Sequence, residues 1–151
     1  MITPKYLKKS DKIAVISPAG NTSSSLIDQG IETLQSWGLQ VDVMPHVYNK
    51  FHQFSGTDNE RLNDFQQAIN NKEYKAIICV RGGYGCTRIV DNIDFSSLLT
   101  YPKWLVGFSD ITVFHAQLNN LGIESIHGAM VKTLSHGGES LKCPFWKIEK
   151  L

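Results

Sequence analysis

Gly107-Phe108-Ser109-Asp110 lies between an apolar stretch and a segment of helical period. A serine held in a sharp turn between a buried strand and a helix presents its hydroxyl outward. The helix N-terminus that follows adds unpaired backbone N–H groups and a partial positive field, both suited to a developing oxyanion. Gly107 removes the side chain that would crowd such a turn. Ile111 stands where the Gly-x-Ser-x-Gly nucleophile elbow has its second glycine, so half of that motif is matched. The same spacing admits a plainer role, with Ser109 as a helix N-cap and Asp110 favouring the helix dipole.

A second loop, Arg81-Gly82-Gly83-Tyr84-Gly85, lets main chain approach a ligand closely, and its N–H groups could cradle a carboxylate, a phosphate or an oxyanion. It reads equally well as a flexible strand-to-helix turn. Arg81 could pair with a substrate carboxylate or with a surface acid. As a dinucleotide fingerprint the loop fails: Gly83 and Gly85 are followed by Arg88, the preceding strand is a late one, and no acidic residue follows at the required distance. Gly-Lys-Ser/Thr of a phosphate loop is also missing, which disfavours a flavodoxin-like nucleotide-binding domain.

A nucleophilic serine needs a base, and histidine is the usual one. His115 falls about 9 Å further along the helix that Ser109 begins, at ~1.5 Å of rise per residue, and so out of hydrogen-bond reach. His127 ends the last strand on the same sheet edge, as a base or as a loop anchor. His46, His52 and His136 fall in connections and carry no signal. Cys79, inside an apolar run, reads as a small buried hydrophobe, and Cys86, after the glycine loop, as the more accessible thiol. With Cys143 they form an odd set without Cys-x-x-Cys spacing, which excludes a disulfide framework and a zinc site and fits a reducing cytoplasm.

The elements that must position these residues alternate down the chain as βαβ units, which predicts an α/β fold: a mainly parallel sheet flanked by helices on both faces, flavodoxin-like or Rossmann-like. Strands are expected at Ile13 to Ser17, Val41 to Met44, Tyr74 to Val80, Trp104 to Phe108 and Glu124 to His127. The third, with the continuous apolar run Ala76 to Val80, belongs at the centre of the sheet. Helices follow Ser23-Ser24-Ser25 (Ile27, Ile31, Leu34 inward, stop at Gly38) and the capping box Thr57 to Glu60 (Leu62, Phe65, Ile69 inward). A short helix is expected over Thr87 to Asn92, and a longer one over Ile111 to Leu121 with Phe114, Leu118 and Leu121 in register, stopped by Gly122. In such a sheet the loops at the carboxyl ends converge, bringing Ser17-Pro18-Ala19-Gly20, Arg81 to Gly85 and Gly107 to Asp110 to one edge. From residue 135 the pattern decays to a basic end, a tail or the entry to a further domain.

Composition narrows the function classes. A net charge of +1 without a basic run gives no footprint for nucleic acid or an anionic membrane. The longest apolar run is far below the ~20 residues of a membrane helix, and the first ten residues have no apolar region behind their lysines. A chain of 151 residues can build one sizeable core.

These motifs resemble the LD-carboxypeptidases, serine peptidases that include murein tetrapeptide carboxypeptidases and microcin C self-immunity proteins. The likeness runs from Leu7-Lys8-Lys9-Ser10-Asp11-Lys12-Ile13-Ala14-Val15-Ile16-Ser17-Pro18-Ala19 through Gly56-Thr57-Asp58-Asn59-Glu60-Arg61 to Arg81-Gly82-Gly83-Tyr84-Gly85, Gly107-Phe108-Ser109-Asp110-Ile111-Thr112 and His127-Gly128. The resemblance implies that Ser109 is the nucleophile and that the backbone N–H groups of Asp110 and Gly83 form the oxyanion hole. Arg81, Gly82, Tyr84 and His127 would border the substrate. It implies cytoplasmic cleavage of a terminal D-amino acid from murein tetrapeptide, with no metal or organic cofactor. Members of the family are about twice this length, and their catalytic Glu and His come from a C-terminal domain. The expectation is therefore a nucleophile-bearing domain over residues 1–134, inactive by itself, whose partners are the peptide, the missing domain and a second copy in a homodimer. A domain without its partner should also expose apolar surface and self-associate. The rival expectation is a non-catalytic domain that binds a small peptide or carboxylate at the same edge.

Overall fold

The computed structural model describes residues 1–135 and gathers the short β-branched runs into five parallel strands. They are β1 (Lys12–Ile16), β2 (Gln40–Val43), β3 (Tyr74–Cys79), β4 (Trp104–Gly107) and β5 (Ile126–His127), in the order β2-β1-β3-β4-β5. This is the flavodoxin-like order, in which the chain steps outward from β1 to β2 and then crosses back to β3. Five helices accompany the strands: α1 (Ser24–Ser36), α2 (Asp58–Asn70), α3 (Ser97–Thr100), α4 (Thr112–Asn120) and α5 (Val131–Leu134). Right-handed crossovers on either side of the reversal place α1 on one face of the sheet and α2 to α4 on the other. β3 lies in the middle, paired to β1 and β4, and its Ala76, Ile77, Ile78 and Cys79 are buried because both faces are covered.

Each face has its own packing. Phe65 of α2 meets Phe95 edge-on at 6.0 Å and Phe114 of α4 at 4.6 Å, so one aromatic group joins the elements of that face. On the opposite face α5 seats directly on α1 at Gly30, where a Cβ would come within 2.1 Å of the Val131 carbonyl oxygen. Thr33 Oγ1 donates to the Leu134 carbonyl at 3.1 Å and pins the same contact. Both ends of α2 are satisfied. Thr57 and Glu60 form the capping box at its start, and at its end the buried Lys103 Nζ donates to the carbonyls of Ala68, Ile69 and Asn71. Gly38, at φ +86°, ends α1 in the left-handed conformation its position required.

Three expectations change. The helix over Thr87 to Asn92 is two single 3-10 turns, Cys86–Arg88 and Val90–Asn92. Leu121 is 37% exposed and not in the core, because α4 stops at Asn120 and the chain reverses at Gly122. Cys86 is fully buried, with its backbone N–H held by the Asp110 carboxylate at 3.0 Å, so it is no accessible thiol. Burial pushes its pKa up, the opposite of what a reactive cysteine needs. The expected tail, with His136 and Cys143, lies outside the described residues apart from Ser135. Among the described residues no helix is long and apolar enough to cross a membrane.

Candidate active site

β4 ends at Gly107, and within two residues the chain must turn from an extended strand into a 3-10 turn, Ser109–Ile111, that leads into α4. The turn is made at Ser109 itself, which has φ +62° and is exposed. A left-handed serine costs about 1–2 kcal/mol relative to ordinary backbone. Such strain at an exposed nucleophile-type residue is the geometry of an elbow. Gly107 makes the turn possible in a second way, since a Cβ there would stand 2.8 Å from Ile111 Cγ2. The buried Ile111 side chain fills the space that Gly107 leaves, and this is why no glycine is needed at position 111. Ser109 is not an N-cap: Phe108 holds that place in the 3-10 turn, Ile111 in α4, and neither caps through a side chain.

Gly82 lies directly against this turn. A Cβ at Gly82 would come 3.2 Å from the Asp110 nitrogen, 3.2 Å from Ser109 Cβ and 3.3 Å from the Phe108 carbonyl oxygen. Gly83 next to it has φ +116° and is exposed. The carboxylate of Asp110 points elsewhere, onto the Cys86 N–H, and thereby ties the elbow to the far end of the glycine loop. A cavity of 380 Å³ opens between the two segments. Arg81, Gly82, Gly83, Phe108 and Ser109 line it, together with Met130, Lys132 and Thr133 from the start of α5.

The third loop, after β1, is bonded to the glycine loop. Gly20 N–H donates to the Gly82 carbonyl at 3.1 Å, and Arg81 Nη1 donates to the Asn21 carbonyl at 3.0 Å. Beneath them lies Arg61, a fully buried side chain on the first turn of α2 that the sequence reading missed. Its Nη1 donates to the Pro18 carbonyl at 2.6 Å and to the Gly85 carbonyl at 3.0 Å, while Nη2 pairs with Asp58. The guanidinium lies 5.0 Å from the Phe54 ring centroid, a cation–π distance. One side chain therefore fixes the spacing of two site loops. Asp58 is shared with Arg88, whose fork grips it through Nε and Nη2, and these bonds hold its carboxyl below the usual carboxylate range. The signal for Arg61 was an arginine three residues past Asp58 on a capped helix, a spacing that ordinarily marks a solvated pair.

The histidines divide by position. His115 is half-buried and bound at both ring nitrogens, Nε2 to the Gly107 carbonyl at 2.9 Å and Nδ1 to Ser125 Oγ at 2.8 Å. A carbonyl only accepts, so Nε2 carries the proton and Nδ1 accepts from the Ser125 hydroxyl. Burial lowers the pKa of the ring and so favours its neutral form. His127 pairs in register with Gly107 and is exposed, its ring 6.0 Å from Phe108 and 6.2 Å from His115. Tyr84 is half-exposed on the other side of the glycine loop, 5.9 Å from Phe54. Among the described residues no side chain hydrogen-bonds Ser109 Oγ, and no group of His, Cys, Asp and Glu is placed to hold a metal ion.

The chain is similar to known proteins over most of its length. The family model for the LD-carboxypeptidase N-terminal domain matches residues 13–128. A probable murein peptide carboxypeptidase of Bacillus subtilis is 37% identical over 131 residues, covering 86% of this chain and 41% of that protein. The murein tetrapeptide carboxypeptidase of Pseudomonas aeruginosa is 30% identical over 141 residues, covering 93% of this chain and 45% of the relative. Among solved structures, the muramoyltetrapeptide carboxypeptidase from Oxalobacter formigenes superposes with a TM-score of 0.73 at 33% identity, over 88% of this chain and 48% of its own. The chain thus spans less than half the length of these relatives.

Proposed function

Because the chain belongs to the LD-carboxypeptidase family, we propose that it is the nucleophile-bearing half of a serine hydrolase that removes a terminal D-amino acid from murein tetrapeptide. The observation that carries this reading is the left-handed, exposed Ser109 packed against Gly82 at the mouth of a cavity. Ser109 Oγ attacks the carbonyl carbon of the L,D-peptide bond while its proton passes to a base. The N–H groups of Asp110 and Gly83 receive the oxyanion. Collapse breaks the C–N bond, and the base returns the proton to the departing amine of the D-amino acid. Water, activated by the same base, then hydrolyses the acyl ester and frees Ser109.

The base is a histidine with a glutamate partner, supplied from a C-terminal domain as the family resemblance implies. Residues 1–134 form the first catalytic domain. Arg81, Tyr84 and His127 border the bound peptide, in the cytoplasm, where murein fragments are processed. A homodimer is the proposed assembly. The test is complementation: the chain is mixed with the C-terminal half of the Bacillus subtilis relative and supplied with murein tetrapeptide, and released D-alanine is measured by chromatography. Release that needs both halves and disappears in Ser109→Ala is expected. A stable complex of the two halves that binds the peptide but releases nothing would leave only a carboxylate-binding role.

A further inference from the structure

The cavity at Ser109 contains two cations and no acid. Arg81 and Lys132 are the charged residues of its lining, and the carboxylate of Asp110, the residue after the serine, accepts from the Cys86 N–H. Neither cation is ion-paired among the described residues: Arg81 donates to the neutral Asn21 carbonyl, and Lys132 Nζ makes no hydrogen bond or salt bridge. Unpaired charges of one sign in a concave site raise the local concentration of the opposite charge.

The placement of Lys132 is built into the fold. Its backbone N–H donates to the Val80 carbonyl at 3.0 Å, so the residue is tied to the position immediately before Arg81. The buried Val131 beside it is seated on Gly30, where only a glycine leaves room. α5 is thereby locked between the end of β3 and α1, and Lys132 and Arg81 line one cavity from adjoining anchors.

We propose that Lys132, with Arg81, forms the subsite for the free carboxylate of the residue that leaves, and so restricts the site to chain termini. The inference rests on the hydrolase reading above and adds the residue that selects the substrate's end. In a peptide bound with its last carbonyl bond at Ser109, the terminal carboxylate lies one residue further on, about 3.8 Å from Cα to Cα. Lys132 lines the same cavity as the serine. An internal peptide bond would place an uncharged amide beside Lys132 and leave the ammonium without a counter-charge.

The test uses the full 151-residue chain and two probes, N-acetyl-L-lysyl-D-alanine and its C-terminal amide, titrated by NMR. The wild-type chain should bind the acid roughly tenfold more tightly than the amide, as expected for one charge-assisted pair. Lys132→Met should lose that preference without weakening amide binding, and Lys132→Arg should keep most of it. A merely structural lysine would weaken both probes together, and an unchanged melting curve for Lys132→Met excludes that cause. Equal binding of acid and amide by the wild-type chain, or an undiminished preference in Lys132→Met, overturns the subsite and leaves the hydrolase reading standing. Binding of neither probe, joined to failure of the complementation assay, overturns both.

Discussion

Ser109 shows how a short motif becomes a site. The sequence Gly107-x-Ser109 suggested a tight turn, but half a motif left the plainer N-cap reading ahead; backbone conformation decides between them, because an N-cap residue is extended whereas Ser109 has φ +62°. No sequence pattern could show that Gly107 is small to admit Ile111, since that contact depends on how α4 sits on the sheet. The strain makes a prediction. Glycine relieves a left-handed penalty of about 1–2 kcal/mol and loses about 0.5–1 kcal/mol to its freer unfolded chain. Ser109→Gly should therefore be more stable than Ser109→Ala by roughly 0.5–1 kcal/mol in denaturant melts, although both lack the hydroxyl. Equal stability would mean that the turn is relaxed in solution. His115, behind the same turn, gives a pH prediction. Its pKa is lowered in the folded chain, so the unfolded chain binds more protons as pH falls below the ordinary histidine value of 6.5. Its contribution is complete above that pH and declines below it. The stability difference between wild type and His115→Gln should thus shrink from pH 7.5 toward pH 5.5, and a constant difference would contradict the neutral ring.

At the scale of elements, the reading from periodicity was good where one face of a helix or a whole strand decides the outcome. The capping box at Thr57 and the central place of β3 are of that kind. It failed where long-range contacts decide. Cys86 looked accessible beside three glycines, yet the Gly85 carbonyl is held by Arg61 and the Cys86 N–H by Asp110, and together these draw the thiol inward. Arg61 was invisible for the complementary reason: a charged residue on an amphipathic helix reads as solvated unless the loops above it are known. Burial lowers the pKa of this guanidinium, while the Asp58 carboxylate opposes that shift. Arg61→Met would leave the Pro18 carbonyl unsatisfied, at about 1–3 kcal/mol for a buried group, while the Gly85 carbonyl would keep the Arg88 N–H at 3.1 Å. A loss of about 1–3 kcal/mol is expected in chemical denaturation, together with faster amide exchange in the loops at 18–20 and 82–86. Asp58 would keep Arg88, so an uncompensated carboxylate is not the cause. A loss confined to α2, with loop protection unchanged, would show that Arg61 supports its helix and not the site.

For the whole molecule, topology does what no single motif could. The reversal of strand order at β1 opens the edge where the loops after β1, β3 and β4 meet, so residues 20, 82 and 109 become neighbours although nearly ninety positions separate the first from the last. Alternation of strands and helices made that convergence legible in advance; the seat of α5 on Gly30, which brings Lys132 to the same cavity, was not, because a four-residue helix has no period to read. The site so assembled has a serine, candidate oxyanion donors and cations, and among its described residues no base bonded to the serine. A serine hydroxyl is almost wholly protonated at neutral pH and attacks slowly without a neighbouring base. Serine hydrolases stripped of their triad retain an acceleration of only about 10³ to 10⁴ over water. The 151-residue chain by itself should therefore release no D-alanine from murein tetrapeptide in an ordinary assay, and Ser109→Ala should leave that baseline unchanged. Turnover by the purified chain alone, abolished by Ser109→Ala, would place the base within these residues. His127, in register with Gly107 and facing Phe108, would be the first position to substitute.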